Sequence, residues 1–113
     1  QLLCEFTEEG NIDGLGIIKG TVKGFTNEVK VPQMGWNSIH RLNGPLFDGI
    51  ETGAYMNLVH SYFVPELKET MAISNYNGAY SVALQKDNFY GVQFHPEKSS
   101  TKGQLLLNNF LKL

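Results

Sequence analysis

Tyr90-Gly91-Val92-Gln93-Phe94-His95-Pro96-Glu97-Lys98-Ser99 reads as a β-strand that delivers a histidine at its carboxyl end and then stops. Valine and the aromatics favour the extended pleat, and Pro96 biases His95 away from helical geometry. A carboxylate follows two residues after the histidine, just before a helix start at Ser99-Ser100. Open α/β sheets bind their ligands at the carboxyl ends of strands. Glu97 placed there can accept the Nδ1 proton of His95, which leaves Nε2 free to act as a base. His95 and Glu97 then form two thirds of a nucleophile, base and orienter set. From spacing alone, a turn whose histidine and glutamate are merely solvated is the simpler reading.

Working outward, the Ser99-Ser100 hydroxyls are candidate caps for a helix that runs to Leu113. Leu106, Phe110 and Leu113 share one face of it, and Leu107 and Leu111 broaden that face toward a sheet. Upstream, the pattern predicts strands over Gly16–Phe25, Val29–Gly35, Ala54–Val64, Thr70–Tyr76, Tyr80–Gln85 and Phe89–Phe94. Asn77-Gly78 is a hairpin signal, because both central residues of a type I′ turn need positive φ. At the other end, Gln1-Leu2-Leu3-Cys4-Glu5-Phe6 spaces its apolar residues as a helix does, and Thr7-Glu8-Glu9-Gly10 would end it. The expectation is an α/β fold, a mixed β-sheet with a terminal helix at each end. So many strands with helices only at the ends suits the C-terminal part of a domain, residues 1–113, with βα units preceding it.

Composition narrows the classes. At 113 residues and 42% hydrophobic, the chain can bury one core. Nine basic and eleven acidic residues without long runs of either sign argue against a nucleic-acid or membrane-surface binder. A single cysteine, Cys4, forms no internal disulfide, and no apolar stretch is long enough to cross a bilayer, so a reducing cytoplasm is the expected compartment. His40 and His60 stand alone without metal-ligand spacing and are expected to be structural or surface groups; no metal and no organic cofactor is expected.

Gly91-Val92-Gln93-Phe94-His95-Pro96-Glu97-Lys98-Ser99 closely resembles the segment that carries the catalytic His and Glu of class I glutamine amidotransferases, whose domain is flavodoxin-like. The resemblance implies that His95 is the general base and acid and that Glu97 orients it. It further implies a cysteine that attacks the glutamine carboxamide, so that ammonia leaves a thioester which water hydrolyses. Val31-Pro32-Gln33-Met34-Gly35-Trp36-Asn37 and Val59-His60-Ser61-Tyr62 resemble segments of one branch, the glutaminase subunits of imidazole glycerol phosphate synthases. Gln1-Leu2-Leu3 and Gly14-Leu15-Gly16 to Gly20 also fit, so the likeness runs along nearly the whole chain.

For substrate, the resemblance implies glutamine, contacted by Gln1, Ser61 and Tyr62. For partner, it implies a (β/α)8-barrel cyclase subunit in a heterodimer, met by Met34, Trp36, Asn37 and Lys98 and supplied with ammonia for histidine biosynthesis. Core packing is the plain alternative for Met34 and Trp36, and a surface position at a helix start is the alternative for Lys98. Asn57 departs from the aromatic residue expected at its place. Cys4 lacks flanking glycines and is expected to be a small buried apolar residue, while Gln1 resembles the last residue of the Gly-x-Cys-x-Gly-x-Gln turn that holds the nucleophile. These residues alone are therefore expected to be inactive, and an uncovered sheet edge is expected to favour self-association. Two other readings stay open: an amidotransferase subunit for another acceptor, such as anthranilate, carbamoyl phosphate or guanylate synthesis, and a non-catalytic module that only binds a partner.

Overall fold

The computed structural model describes residues 1–113. Nine strands lie in chain order: β1 (Cys4–Thr7), β2 (Ile12–Asp13), β3 (Ile18–Gly24), β4 (Gln33–Ser38), β5 (Tyr55–His60), β6 (Tyr62–Phe63), β7 (Thr70–Asn75), β8 (Ala79–Lys86) and β9 (Phe89–Val92). Short 3-10 turns occupy Pro45–Phe47 and Pro96–Lys98, and one helix, α1 (Ser100–Leu111), closes the chain. The strands form a four-stranded sheet in the order β2-β1-β3-β6, a β4-β5 hairpin, and a β7-β8-β9 meander. Only β1 and β3 run parallel; the other pairs are antiparallel. Isolated bridges from His40 to Ile73 and from Val64 to Ser81 tie the meander to the rest.

The expected mixed β architecture and terminal helix are present, and the helix expected at the N-terminal end is not. Cys4 is fully buried, Glu5 exposed and Phe6 partly buried, which is an alternation with period two. Six residues are too few to sustain a helix alone, whereas β1 borrows hydrogen-bonding partners from β2 and β3. The expected strand over Val29–Gly35 begins instead at Gln33, after Pro32, which has no N–H to give a ladder. The long run over Ala54–Val64 is divided at Ser61, because β5 pairs with β4 while β6 pairs with β3. The Asn77-Gly78 turn forms as expected, with φ of 59° and 122°.

Helix α1 also turns a different face inward. Gly103, Leu106 and Asn109 are buried, whereas Phe110 and Leu113 are about half exposed and Leu111 more so. The reason lies in two polar and steric anchors. Asn109 Nδ2 donates to the carbonyls of Leu46 (3.0 Å) and Asp48 (2.8 Å). Gly103 packs so close to the Pro96 turn that a Cβ there would run into the Pro96 carbonyl and lie 2.8 Å from Ser99 Cβ. A hydrophobic stripe read along the helix cannot anticipate either anchor.

Two clusters make up the core. The larger joins Ile39, Leu46, Phe47, Ile50, Met56, Leu58, Ala72, Tyr80, Val82, Ala83, Phe94 and Leu106; the smaller joins Cys4, Ile18, Val22, Val64 and Leu84. Several polar side chains are buried as well, among them an imidazole. His60 is 6% exposed, with Nδ1 2.7 Å from the Tyr62 carbonyl and Nε2 within 2.8 Å of Gln33 Oε1 and 3.2 Å of the Tyr80 hydroxyl. Burial lowers the His60 pKa below its ordinary 6.5 against the opposing pull of the Tyr62 carbonyl, and burial pushes Tyr80 up to about 12. A main-chain carbonyl only accepts, so the neutral imidazole carries its proton on Nδ1 toward Tyr62, and Nε2 is the acceptor facing the Tyr80 hydroxyl.

Two outcomes follow from this packing. As pH falls below 6.5 the unfolded chain protonates His60 while the folded chain resists, so stability drops until the lowered folded value is reached and is unaffected by this group above 6.5. Denaturant titrations between about pH 5 and about pH 7 should therefore show a shallower acid decline for His60→Gln than for the parent chain. Gly103→Ala should cost about 2 kcal/mol of unfolding free energy by overpacking, while Thr101→Ala, exposed in the same turn, should stay within about 0.5 kcal/mol.

Candidate functional site

The third meander strand carries the site to the surface. After β9, Gln93 N–H donates to the Val82 carbonyl at 2.8 Å, and Phe94 is buried in the larger cluster. The chain then crosses to the hairpin, where His95 N–H donates to the Asn57 carbonyl at 2.9 Å. His95 is extended (φ −96°, ψ 97°), as a residue before proline should be. Pro96 opens the 3-10 turn, which brings Glu97 back toward its neighbour two residues earlier. His95 Nδ1 lies 3.0 Å from Glu97 Oε1, with the two side chains 42% and 57% exposed. A carboxylate accepts only, so Nδ1 is the protonated nitrogen in this contact and Nε2 is left with a free lone pair. At such exposure the pair adds little stability; its effect is to fix the tautomer and rotation of the ring.

Gln1, Tyr62 and Gln93 are brought together beside this strand. Gln1 Nε2 donates to the Tyr62 carbonyl at 2.9 Å and to Gln93 Oε1 at 2.8 Å. The same Tyr62 carbonyl accepts from the buried His60. Ser61 lies in the break between β5 and β6, and its carbonyl accepts Phe25 N–H at 3.1 Å. Motif and spacing do not single out Gln93; the one available signal is its place two residues before His95, which in an extended chain puts both on one side.

Met34 and Trp36 are exposed, at 66% and 53%, and not in the core. Met34 lies opposite Val59, Trp36 opposite Asn57 and Ser38 opposite Tyr55. With Val59 and Tyr55 also exposed, the outward face of the hairpin is an apolar patch flanking Asn57. Asn37 is engaged internally: Nδ2 donates to the Asn75 carbonyl at 3.0 Å and Oδ1 accepts Ser38 N–H at 2.8 Å. Lys98 is exposed in the turn after Glu97. His40 lies at the surface with Nε2 2.9 Å from Ser38 Oγ.

Cys4 is fully buried among Ile18, Val22, Val64 and Leu84, and burial raises its thiol pKa, the reverse of what an attacking thiolate needs. No three His, Cys, Asp or Glu side chains gather in a way that would hold a metal ion. No helix is long and apolar enough to cross a membrane.

Comparison with known proteins places this geometry in context. The family model described as glutamine amidotransferase class-I matches residues 1–113. The imidazole glycerol phosphate synthase subunit HisH of Bacteroides fragilis is 49% identical over 116 residues, covering 100% of this chain and 59% of the relative. The same subunit is 47% identical in Haemophilus influenzae, covering 99% and 57%, and 49% identical in Escherichia coli K12, covering 100% and 59%. The chain thus spans under two thirds of the length of the curated relatives it matches. Among solved structures, a putative GMP synthase subunit from Thermoplasma acidophilum shares the fold at a TM-score of 0.65 over 82% of this chain and 47% of that one, with 18% identity. With a family match along its full length, and with the His-Pro-Glu segment poised as described, the chain belongs to the class-I glutamine amidotransferase family.

Proposed function

We propose that the chain supplies the acid–base half of a glutaminase, the subunit of an imidazole glycerol phosphate synthase that hydrolyses glutamine to glutamate and ammonia. The observation that carries this reading is the 3.0 Å contact between His95 Nδ1 and Glu97 Oε1, which in the neutral ring puts the proton on Nδ1 and the lone pair on Nε2. In the full-length protein a cysteine thiol outside residues 1–113 attacks the carboxamide carbon and gives its proton to His95 Nε2. Glu97 stabilises the imidazolium that results. Collapse of the tetrahedral intermediate breaks the C–N bond, and His95 returns the proton to the departing ammonia. Water, deprotonated by His95, then hydrolyses the thioester to glutamate and restores the thiol.

Gln1, Ser61 and Tyr62 form the side of the site that meets the glutamine substrate, held in place by the Gln93 and His60 contacts. The apolar face of β4 and β5 is the docking surface for the cyclase subunit, which receives the ammonia through a tunnel; Met34 and Trp36 anchor it, with Asn37 and Lys98 nearby. What supports this is a contiguous apolar patch on a two-stranded ribbon, including a half-exposed tryptophan, the residue type most enriched among binding hot spots.

In the full-length protein with its cyclase, His95→Ala should lower kcat for glutamine hydrolysis by about 10² or more, and Glu97→Gln by at least about 10-fold. A His95→Ala enzyme that still forms and hydrolyses the thioester at the parent rate would overturn the assignment. Trp36→Ala should weaken the complex by about 2 kcal/mol, roughly 30-fold in Kd by calorimetry, while the cyclase with added ammonia keeps its rate. Failure to bind a cyclase barrel, with tight binding to another synthase instead, would redirect the reading to a different acceptor.

A further inference from the structure

His95 and Asn57 face each other like residues of an antiparallel pair, but only half of that pair is closed directly. His95 N–H reaches the Asn57 carbonyl at 2.9 Å. In a regular ladder the return bond would run from Asn57 N–H to the His95 carbonyl. Here the hydroxyl of Ser99 is inserted into it. Ser99 Oγ accepts Asn57 N–H at 2.9 Å and donates to the His95 carbonyl at 2.6 Å. The hydroxyl uses its donor and one of its acceptor sites on the two main-chain groups flanking the catalytic histidine.

Ser99 is 1% exposed, so bulk water does not replace it readily. Its placement overrides the role expected from sequence: it stands at the N-cap position of α1 yet makes no side-chain cap bond. Gly103 packs against it, with no room for a Cβ beside Ser99 Cβ, which leaves the serine side chain little freedom to swing away. The His95 carbonyl also accepts Lys98 N–H at 3.0 Å, so both of its lone pairs are engaged.

We infer that Ser99 is a positioning residue for His95: its hydroxyl completes the rung that fixes the His95 peptide, while Glu97 fixes only the ring. This rests on the glutaminase reading. A carboxylate two residues away can set ring rotation, but the direction in which the imidazole leaves the backbone depends on the two peptide planes of His95. One is held by the Asn57 carbonyl and the other by Ser99. Without the hydroxyl, Asn57 N–H and half of the His95 carbonyl lose their buried partner, and the loop must shift or admit water. Nε2 then moves relative to the attacking thiol, and displacements near 1 Å are enough to lower a rate by about 10².

The test uses the full-length protein with its cyclase, assayed for glutamine hydrolysis in the parent, Ser99→Ala, Ser99→Cys and His95→Ala. The cysteine variant keeps nearly the volume of serine but makes only weak hydrogen bonds, so it separates the bonds from packing and stands in if the alanine variant does not fold. Both Ser99 variants, folded by circular dichroism, should lose about 10- to 100-fold in kcat with KM within about twofold. A purely structural role would lower the denaturation midpoint and leave kcat of the folded enzyme alone. Parent-like kcat in the folded Ser99 variants, with His95→Ala inactive, would overturn the Ser99 inference and leave the glutaminase reading intact. Parent-like activity in His95→Ala would remove both.

Discussion

Most of this molecule can be understood from one attachment, the seating of the His95 peptide against Asn57 of β5. A histidine on a free loop would sample many ring positions, and the acid–base role we propose for His95 could not tolerate that. The chain solves the problem by carrying the histidine off the end of a buried meander and fixing it to a different pair of strands. Phe94 anchors the residue before it in the larger core cluster, and Gly103 lets α1 press against the turn after it. The 3-10 turn then has one free choice left, the direction of the ring, and Glu97 makes it.

A second fixed point lies around the Tyr62 carbonyl. It accepts from His60, which is buried, and from Gln1, which also reaches Gln93. The break between β5 and β6 is thereby held from the core side by a neutral imidazole and from the other side by an amide. Burial favours the neutral form of His60, and the Tyr62 carbonyl, which only accepts, makes Nδ1 the donor. Two of the histidines thus take opposite parts: His95 is partly exposed with a carboxylate, His60 buried without one. Their environments, not their spacing in sequence, set that difference.

Several features were legible in the residues because they depend on local chemistry. Pro96 forces His95 to be extended, Asn77-Gly78 supplies the positive φ of a turn, and a carboxylate two residues from a histidine can reach its Nδ1; all three are found. Spacing left open the choice between a solvated turn and a working pair, and the resemblance to class I amidotransferases favours the second. What could not be read depends on partners distant in sequence. The strand at Cys4–Thr7 exists because β2 and β3 offer it hydrogen bonds, and helical spacing in six residues says nothing of that. Ser99 had the type and place of a helix cap, but a peptide more than forty positions away had the stronger claim on its hydroxyl. Phe110 and Leu113 have the right spacing for a buried face, and the polar anchoring of Asn109 turns that face outward.

The hairpin of β4 and β5 brings these threads into a single element. Along β5 the side chains of Met56, Leu58 and His60 point into the core, while Tyr55 and Val59 point out. Asn57 belongs to the outward set, opposite the exposed Trp36. Its side chain position faces the apolar patch, and its main chain holds His95. A strand can serve both ends in this way because its side chains leave perpendicular to the sheet while its peptide groups lie in the sheet plane. The cost is that the backbone of Asn57 has no tolerance for displacement: a shift along the strand that reseated Trp36 by one residue would invert the inward and outward sets and carry the Asn57 carbonyl away from His95. The buried Met56, Leu58 and His60 prevent such a slip, so the core on one face of the hairpin secures the position of His95, which the hairpin's edge supports.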